Sequence, residues 1–466
     1  MPHDLTQPSD PSLPPGQARC PGSSTRDIIL SDGDSPPAAL TAEAYRFLGD
    51  SDIAYDRYTS RAFFDREIEK LWPHTWQWAC REEHIPRVGD YVVYDVGPYS
   101  FIVVRSAPNE IKAFYNSCPH RGMQWKAPGE SGNTGSFFRC PFHGMSWRLD
   151  GSLREIPCRW DFPHVDDATF RPDEARVETW GGFVFINPDP KAAPLREFLG
   201  VLPEHFAHWP LENRYVSVHV AKILPANWKM ALEAFLEAYH VLATHPEGLK
   251  TAGDANAQYD VFDERVTRFV HTIGSASPHL RHPPSPEQIV RLLGAWDEAN
   301  SARRLAAGTP ARVIVAEKMR ADLGARYAVD LSSVSTSEML DSIEYHLFPN
   351  MFIFPGVSLP MIYRFRPNGM DVDTCIHEIL FLSPVPTHGV RPPPAPVVHL
   401  GEDDSYTTVP TFNPGLAFVY DQDTGNLRRQ RDGAKASRKR GQTLGNYQEV
   451  RLRRFHMTLD STLGAP

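Results

Sequence analysis

SCPHRGMQWKAPGESGNTGSFFRCPFHGMSW, residues 117–147, carries Cys118 and His120 as a C-x-H pair and Cys140 and His143 as a C-x-x-H pair. A glycine follows each pair closely, so each sits on a tight loop at the end of a strand-like run. Two such loops on a small β scaffold can converge on one site. A [2Fe–2S] centre with two thiolates on one iron and two imidazoles on the other requires this ligand set. The thiolates stabilise ferric iron, and the neutral imidazoles reduce the net negative charge and raise the potential. A Cys2His2 zinc site uses the same residue types but groups like ligands together, as in zinc fingers. Here each loop mixes one Cys with one His, which disfavours zinc.

Outward from these loops the texture is that of a small all-β domain. YVVYDV (91–96), FIVVR (101–105), IKAFYN (111–116), SFFRC (136–140) and FVFIN (183–187) are short β-like runs broken by Gly, Pro and Asn. PDPKAAP (188–194) reads as a linker, and SRAFFDREIEKLW (60–72) has helical spacing. Beyond the linker, helices and strands mix. Ala226–Thr244 and Pro414–Asp432 have helical patterns; 259–273, 345–355, 361–366 and 374–383 have strand patterns. The fold class expected is α+β around an antiparallel sheet. The expected layout is a disordered, Pro/Ser/Gly-rich tail over 1–40 without a signal-peptide pattern, then 41–85 packing on the catalytic domain. The β domain follows over 86–187, and the larger domain over 188–466.

Composition narrows the class further. Of 466 residues, 41% are hydrophobic and 23% charged, with a formal charge of −9, which suits a globular chain and does not recommend nucleic acid as a partner. The basic patch RQRDGAKASRKR (429–440) reads as solvated surface. No run of about 20 apolar residues offers a membrane span. Six cysteines are too few for a disulfide framework, and thiolate ligands favour a reducing, cytoplasmic setting. Without a G-x-G-x-x-G fingerprint or a second cysteine cluster, electrons must come from a separate protein.

A second constellation lies in NWKMALEAFLEAYHVLATHP (227–246), which holds His240 and His245. Five residues turn an ideal helix by about 500°, so the two rings do not share a face. Their convergence needs the helix to unwind near Thr244, ahead of Pro246. Two imidazoles and a carboxylate on one side of Fe(II) would leave the other side open. On residue type alone, two plain core histidines fit this segment as well.

SCPHRGM and CPFHGMSW resemble the cluster loops of the Rieske non-haem iron ring-hydroxylating oxygenases. Respiratory Rieske proteins carry an extra cysteine in each loop, where this chain has Met123 and Phe142. NWKMALEAFLEAYHVLATH is similar to the family segment with the two iron histidines, and FVYDQD (418–423) to its late segment ending in an acidic ligand. The resemblance spans roughly residues 45–250 and 415–433. It implies the alpha subunit of such an oxygenase, with a helix-grip catalytic domain. Cys118, His120, Cys140 and His143 would bind a [2Fe–2S] cluster; His240, His245 and Asp423 would bind mononuclear Fe(II), with Asp421 as the other candidate third ligand. Glu237, three residues before His240 and on the same helical face, stands where relatives commonly have an aspartate linking a cluster histidine of one subunit to an iron histidine of the next. Ala234 replaces an asparagine frequent in relatives, so no role of that asparagine carries over.

The resemblance further implies a homotrimer fed by a reductase, with or without a ferredoxin, that uses O2 to hydroxylate an apolar aromatic or alicyclic substrate. N- or O-demethylation or quaternary amine oxidation is the alternative within the enzyme class. A pure electron carrier and a zinc-stabilised binding protein are the alternatives outside it. Phe235, Leu236 and Val241 are candidates for the substrate pocket or for plain core packing.

Overall fold

The computed structural model describes residues 5–464. They fall into two compact units, one of residues 62–198 with 367–371, the other of the remaining residues up to 61, 199–366 and from 372 onward.

In the first unit seven antiparallel strands run in the order Gln77–Arg81, Phe183–Asn187, Glu174–Trp180, Glu110–Tyr115, Tyr99–Ala107, Asp90–Val96 and Ser131–Asn133. Phe101, Ile102, Val103 and Val104 are all buried, so this central strand is covered on both faces. A second layer of three strands, Phe137–Arg139, Ser146–Arg148 and Leu153–Glu155, closes the core. There Trp125 stacks on Phe138 at 5.3 Å and on Trp147 at 5.1 Å. Cys118 and Cys140 belong to the same buried cluster. The β domain expected over 86–187 is therefore larger than its sequence signature. Gln77–Arg81 joins the sheet by pairing with Phe183–Asn187, Cys80 opposite Val184, a ladder between segments about a hundred residues apart that no local pattern reveals. Residues 62–85, expected with the catalytic domain, belong to this unit.

The larger unit is built on an eight-stranded sheet among the described residues. Its order is Ala252–Val261, Val266–Ile273, Ser342–Leu347, Met351–Ile353, Met361–Asn368, Asp371–Pro384, Arg214–Leu224 and Val398–Leu400. The last pair is parallel; the other ladders described are antiparallel. Helices Ala311–Tyr327, Pro414–Gly425 and Val450–Leu463 accompany it. The α+β class and the antiparallel sheet expected from the sequence are both present. None of the helices among the described residues is long and apolar enough to cross a membrane.

The tail expected to be disordered is a correction. Residues 1–4 lie outside the described residues, but Thr25–Ser31 is a helix with a Ser24/Asp27 capping box. The segment is stitched to distant strands and helices: Asn256 Nδ2 donates to the Ser23 carbonyl at 2.9 Å, Thr25 Oγ1 to the Asn256 carbonyl at 2.8 Å, and Arg312 pairs with Asp32 at 2.8 Å. Composition suggested disorder because these anchors are polar, non-local and few.

One anchor sets a stability prediction. Arg268 and Asp260 form a fully buried pair at 2.7 Å, and the same guanidinium holds the Ala42 carbonyl at 3.0 Å. Asp260→Ala leaves a buried cation without its counter-charge and is expected to destabilise the unit by about 3–5 kcal/mol. The reading is a lowered denaturant midpoint at constant slope. An unchanged midpoint would mean that the Tyr345 hydroxyl, 3.2 Å away, and the carbonyls suffice for Arg268.

Candidate functional site

The two cysteine loops have the same backbone. Each reads Cys-Pro-x-x-Gly-Met, at 118–123 and again at 140–145. Cys118 N–H donates to the Met123 carbonyl at 2.9 Å, and Gly122 N–H returns to the Cys118 carbonyl at 2.9 Å. Cys140 with Met145 (2.8 Å) and Gly144 (3.1 Å) repeats the arrangement. The turn closes through a left-handed residue, Gly122 at φ 73° and Gly144 at φ 78°, where a side chain would be strained. The result is two buried thiols side by side and two imidazoles, His120 and His143, with ring centroids 4.7 Å apart. Burial, with Cys140 adjacent, pushes the Cys118 thiol up, and burial pushes His120 down, which keeps its imidazole neutral. Two cysteines and two imidazoles carried on twin loops are the donor set of a [2Fe–2S] centre with mixed ligation.

In the larger unit, His240, His245 and Asp423 each offer one ligand atom, and these atoms all lie within 4.8 Å of one another. Asp423 Oδ1 is 3.3 Å from His240 Nε2 and 2.7 Å from His245 Nε2. The outer ring nitrogens are held by acceptors: His240 Nδ1 by Glu237 Oε1 at 2.8 Å, His245 Nδ1 by Gln422 Oε1 at 2.9 Å. A proton on each Nδ1 leaves both Nε2 lone pairs facing Asp423, the orientation that metal-ligating histidines take from such partners. Burial opposes a charge on His240, yet Glu237 and Asp423 raise its pKa to about 10. Burial would likewise raise Asp423, yet the two imidazoles hold its carboxyl below the usual range. The carboxylates beside His240 and His245 favour positive charge here, which a bound metal cation would supply. Two nitrogens and one oxygen suit Fe(II) with open positions.

Local structure explains the convergence and corrects the sequence reading. Ala226–Thr244 is not one helix. Asn227 caps Trp228–Glu233, the chain leaves the helix over 234–240, and Val241–Thr244 resumes it. The chain breaks twice: over 234–240, ahead of His240, which was not expected, and again after Thr244, as expected, where His245 is a non-helical cap at φ −125°. Glu237 therefore shares no helical face with His240; it reaches that residue across a turn, where Oε2 also accepts the His240 N–H at 2.9 Å. Asp421, the other candidate ligand, accepts hydrogen bonds from Ser405 Oγ and, at 3.0 Å, from the Tyr406 N–H. Those bonds tie its helix to the 405–408 turn. Of the pocket candidates, Leu236 is fully buried and Val241 packs with Ala238, Leu249, Ala257 and Tyr259. Phe235 joins an aromatic group, its ring 5.4 Å from Tyr363, 5.3 Å from Phe365 and 5.9 Å from Tyr420, three residues before Asp423. Gln422 went unrecognised in the sequence; its position between Asp421 and Asp423 was the available signal.

Comparisons with known proteins match the chain to two domain families. Residues 75–166 match the Rieske [2Fe–2S] domain, and residues 204–465 match the catalytic domain of the ring hydroxylating alpha subunit. Over 200 residues the chain is 32% identical to the biphenyl 2,3-dioxygenase subunit alpha of Rhodococcus jostii, covering 41% of this chain and 43% of that protein. Over 278 residues it is 28% identical to the glycine betaine monooxygenase oxygenase subunit of Pseudomonas aeruginosa, covering 59% of each. The chain thus spans about half the length of the curated relatives it matches. Among solved structures, a quaternary ammonium Rieske monooxygenase aligns with a TM-score of 0.62 at 17% identity, over 88% of this chain and 95% of that one. Naphthalene 1,2-dioxygenase with indole bound in the active site gives 0.61 at 18%, over 90% and 93%. At such identities the likeness is one of fold. The catalytic match alone covers more than half of the residues, and the chain belongs to the ring-hydroxylating alpha-subunit family, with a Rieske [2Fe–2S] domain ahead of the catalytic one.

Proposed function

We propose that this chain is the terminal oxygenase component of a Rieske non-haem iron oxygenase, using electrons from a partner to insert oxygen from O2 into an apolar aromatic or alicyclic substrate. The observation that carries the reading is the approach of His240 Nε2, His245 Nε2 and the Asp423 carboxylate to one point, from segments about 180 residues apart. In this reading they hold Fe(II), and Cys118, His120, Cys140 and His143 hold the cluster. When bound, the two centres supply one-electron transfer and activation of dioxygen. The chain's own part is orientation. Glu237 and Gln422 keep the Nδ1 protons of His240 and His245 in place, so both Nε2 atoms are available as donors. Three donors on one side leave the other for dioxygen and substrate. The rings of Phe235, Tyr363, Phe365 and Tyr420, on and beside the two ligand segments, support an apolar substrate.

In the same proposal the partners are a reductase, with or without a ferredoxin, in the cytoplasm. The working assembly is a homotrimer in which Glu237 links His240 to His120 or His143 of a neighbouring copy. A second reading, oxidation of a quaternary amine, is favoured by the match to a glycine betaine monooxygenase subunit.

The test is oxygen uptake with a surrogate reductase against two substrate panels, with ¹⁸O2 and product analysis. Labelled hydroxylated rings support the first reading; labelled products of quaternary amines support the second. A colourless zinc protein that takes up no cluster on reconstitution would overturn both.

A further inference from the structure

Where the chain leaves the helix between residues 234 and 240, side chains from elsewhere take over its backbone groups. Tyr259 Oη accepts the Ala238 N–H at 3.0 Å, and Arg451 Nη1 donates to the Leu236 carbonyl at 3.1 Å. These two bonds pin the peptides on either side of Glu237. Both side chains are fully buried. Arg451 is itself fixed by Glu344 at 2.8 Å and by Thr267 Oγ1 at 3.1 Å. Tyr259 stands on strand Ala252–Val261, its ring edge-on to Tyr447 at 5.3 Å. The Tyr447 ring carries the Arg19 guanidinium at 3.8 Å and packs against Tyr45 at 5.1 Å. The N-terminal segment thus covers Tyr447, and Gln258, adjacent to Tyr259, donates to the Ala42 carbonyl at 2.7 Å.

We infer that Tyr259 is a positioning residue for the metal-binding turn: its hydroxyl fixes the Ala238 peptide and thereby aims Glu237 at His240 Nδ1 and His240 Nε2 at Asp423. The inference rests on the reading of His240, His245 and Asp423 as iron ligands. Without the hydroxyl, the Ala238 N–H is buried without an acceptor. The turn then shifts to find one, and Glu237 shifts with it. Partners that orient a ligating histidine govern metal affinity even though they do not touch the metal.

The test is Tyr259→Phe in the full chain, which removes one oxygen, beside Tyr45→Phe. The control loses a hydroxyl bond to the Asn446 carbonyl (3.1 Å) in the same aromatic group without touching the turn. Fe(II) affinity of the mononuclear site and the EPR signal of its nitric oxide adduct are measured, with the cluster signal and the melting midpoint alongside. The expected outcome is Fe(II) binding weakened about 10- to 100-fold in Tyr259→Phe, with a changed nitric oxide signal and an unchanged cluster signal. Tyr45→Phe should bind iron as the parent chain does. Parental affinity and an identical nitric oxide signal in Tyr259→Phe would overturn the inference, as would equal iron loss in both variants. Should Tyr259→Phe not fold, amide exchange on the parent chain decides: a protected Ala238 amide supports the bond, and exchange as fast as that of exposed loop amides overturns it. If the parent chain binds no mononuclear iron, the ligand reading fails and this inference with it; a parent that binds iron beside an unaffected Tyr259→Phe removes the inference alone.

Discussion

Asp423→Ala is expected to abolish substrate oxygenation, a loss beyond about 100-fold, while the cluster's spectrum and reducibility stay as they were. The magnitude follows from position. Side chains that merely orient ligating histidines cost about 10–100-fold in metal affinity or activity when removed. Asp423 is not an orienting group; its Oδ1 lies 2.7 Å and 3.3 Å from the two imidazole nitrogens that would share the metal. Removing it also leaves the buried His245 and the partly exposed His240 without the carboxylate that balances the charge of a bound cation. Iron quantified per chain and product formed per reductant consumed report the loss, and the cluster's EPR signal serves as the internal control. Asp421→Ala separates the two candidate carboxylates. That change releases Ser405 Oγ and the Tyr406 N–H from their acceptor and is expected to cost about 1–3 kcal/mol of stability, with iron retained. Iron loss in Asp421→Ala together with full activity in Asp423→Ala would reverse the assignment.

What the sequence made legible depends on how far apart the cooperating residues lie. Each cluster loop brings its Cys and His within three positions, with the turn-forming glycine adjacent, so both loops could be read directly. His240 and His245 are near neighbours too, but their spacing was ambiguous because the residues around them, EAFLEAYHVLAT, favour a helix in isolation. The non-helical backbone after Glu233 is hydrogen-bonded by Tyr259 and Arg451, residues from a strand and a helix that no window around His240 contains. Asp423 was favoured over Asp421 through the family resemblance; in the structure the two differ in what their neighbours at 405–406 and 240–245 have already claimed. The N-terminal segment was misread for the same reason. Its helix cap is local and visible, but its anchors to Asn256, Arg268 and Arg312 belong to tertiary structure. Strand Gln77–Arg81, wholly buried and paired with a distant strand, lacked the polar–apolar alternation by which half-buried strands are recognised.

Cys118→Ser is expected to have the other large effect, complete loss of the visible colour, with iron falling from about three per chain to about one. A serine oxygen is a poor substitute for thiolate on iron, and the site cannot replace the ligand because Cys140 is the one other cysteine in this buried cluster. The loss should extend to structure. Cluster binding contributes to the folding of the loops that make it, and Cys118 and Cys140 share a core with Trp125, Phe138 and Trp147. The first unit should therefore melt earlier. The larger unit, with its own sheet and core, should keep its fold and its single iron while turning nothing over, since no electrons reach it. Cys158→Ser is the control: that side chain is exposed, so the parental colour and iron content should persist. A Cys118→Ser chain that stays brown with an unchanged EPR signal would remove Cys118 from the ligand set. One that loses both kinds of iron would show that the two centres do not load independently, and that the loops at 118–123 and 140–145 are needed for more than the cluster they hold.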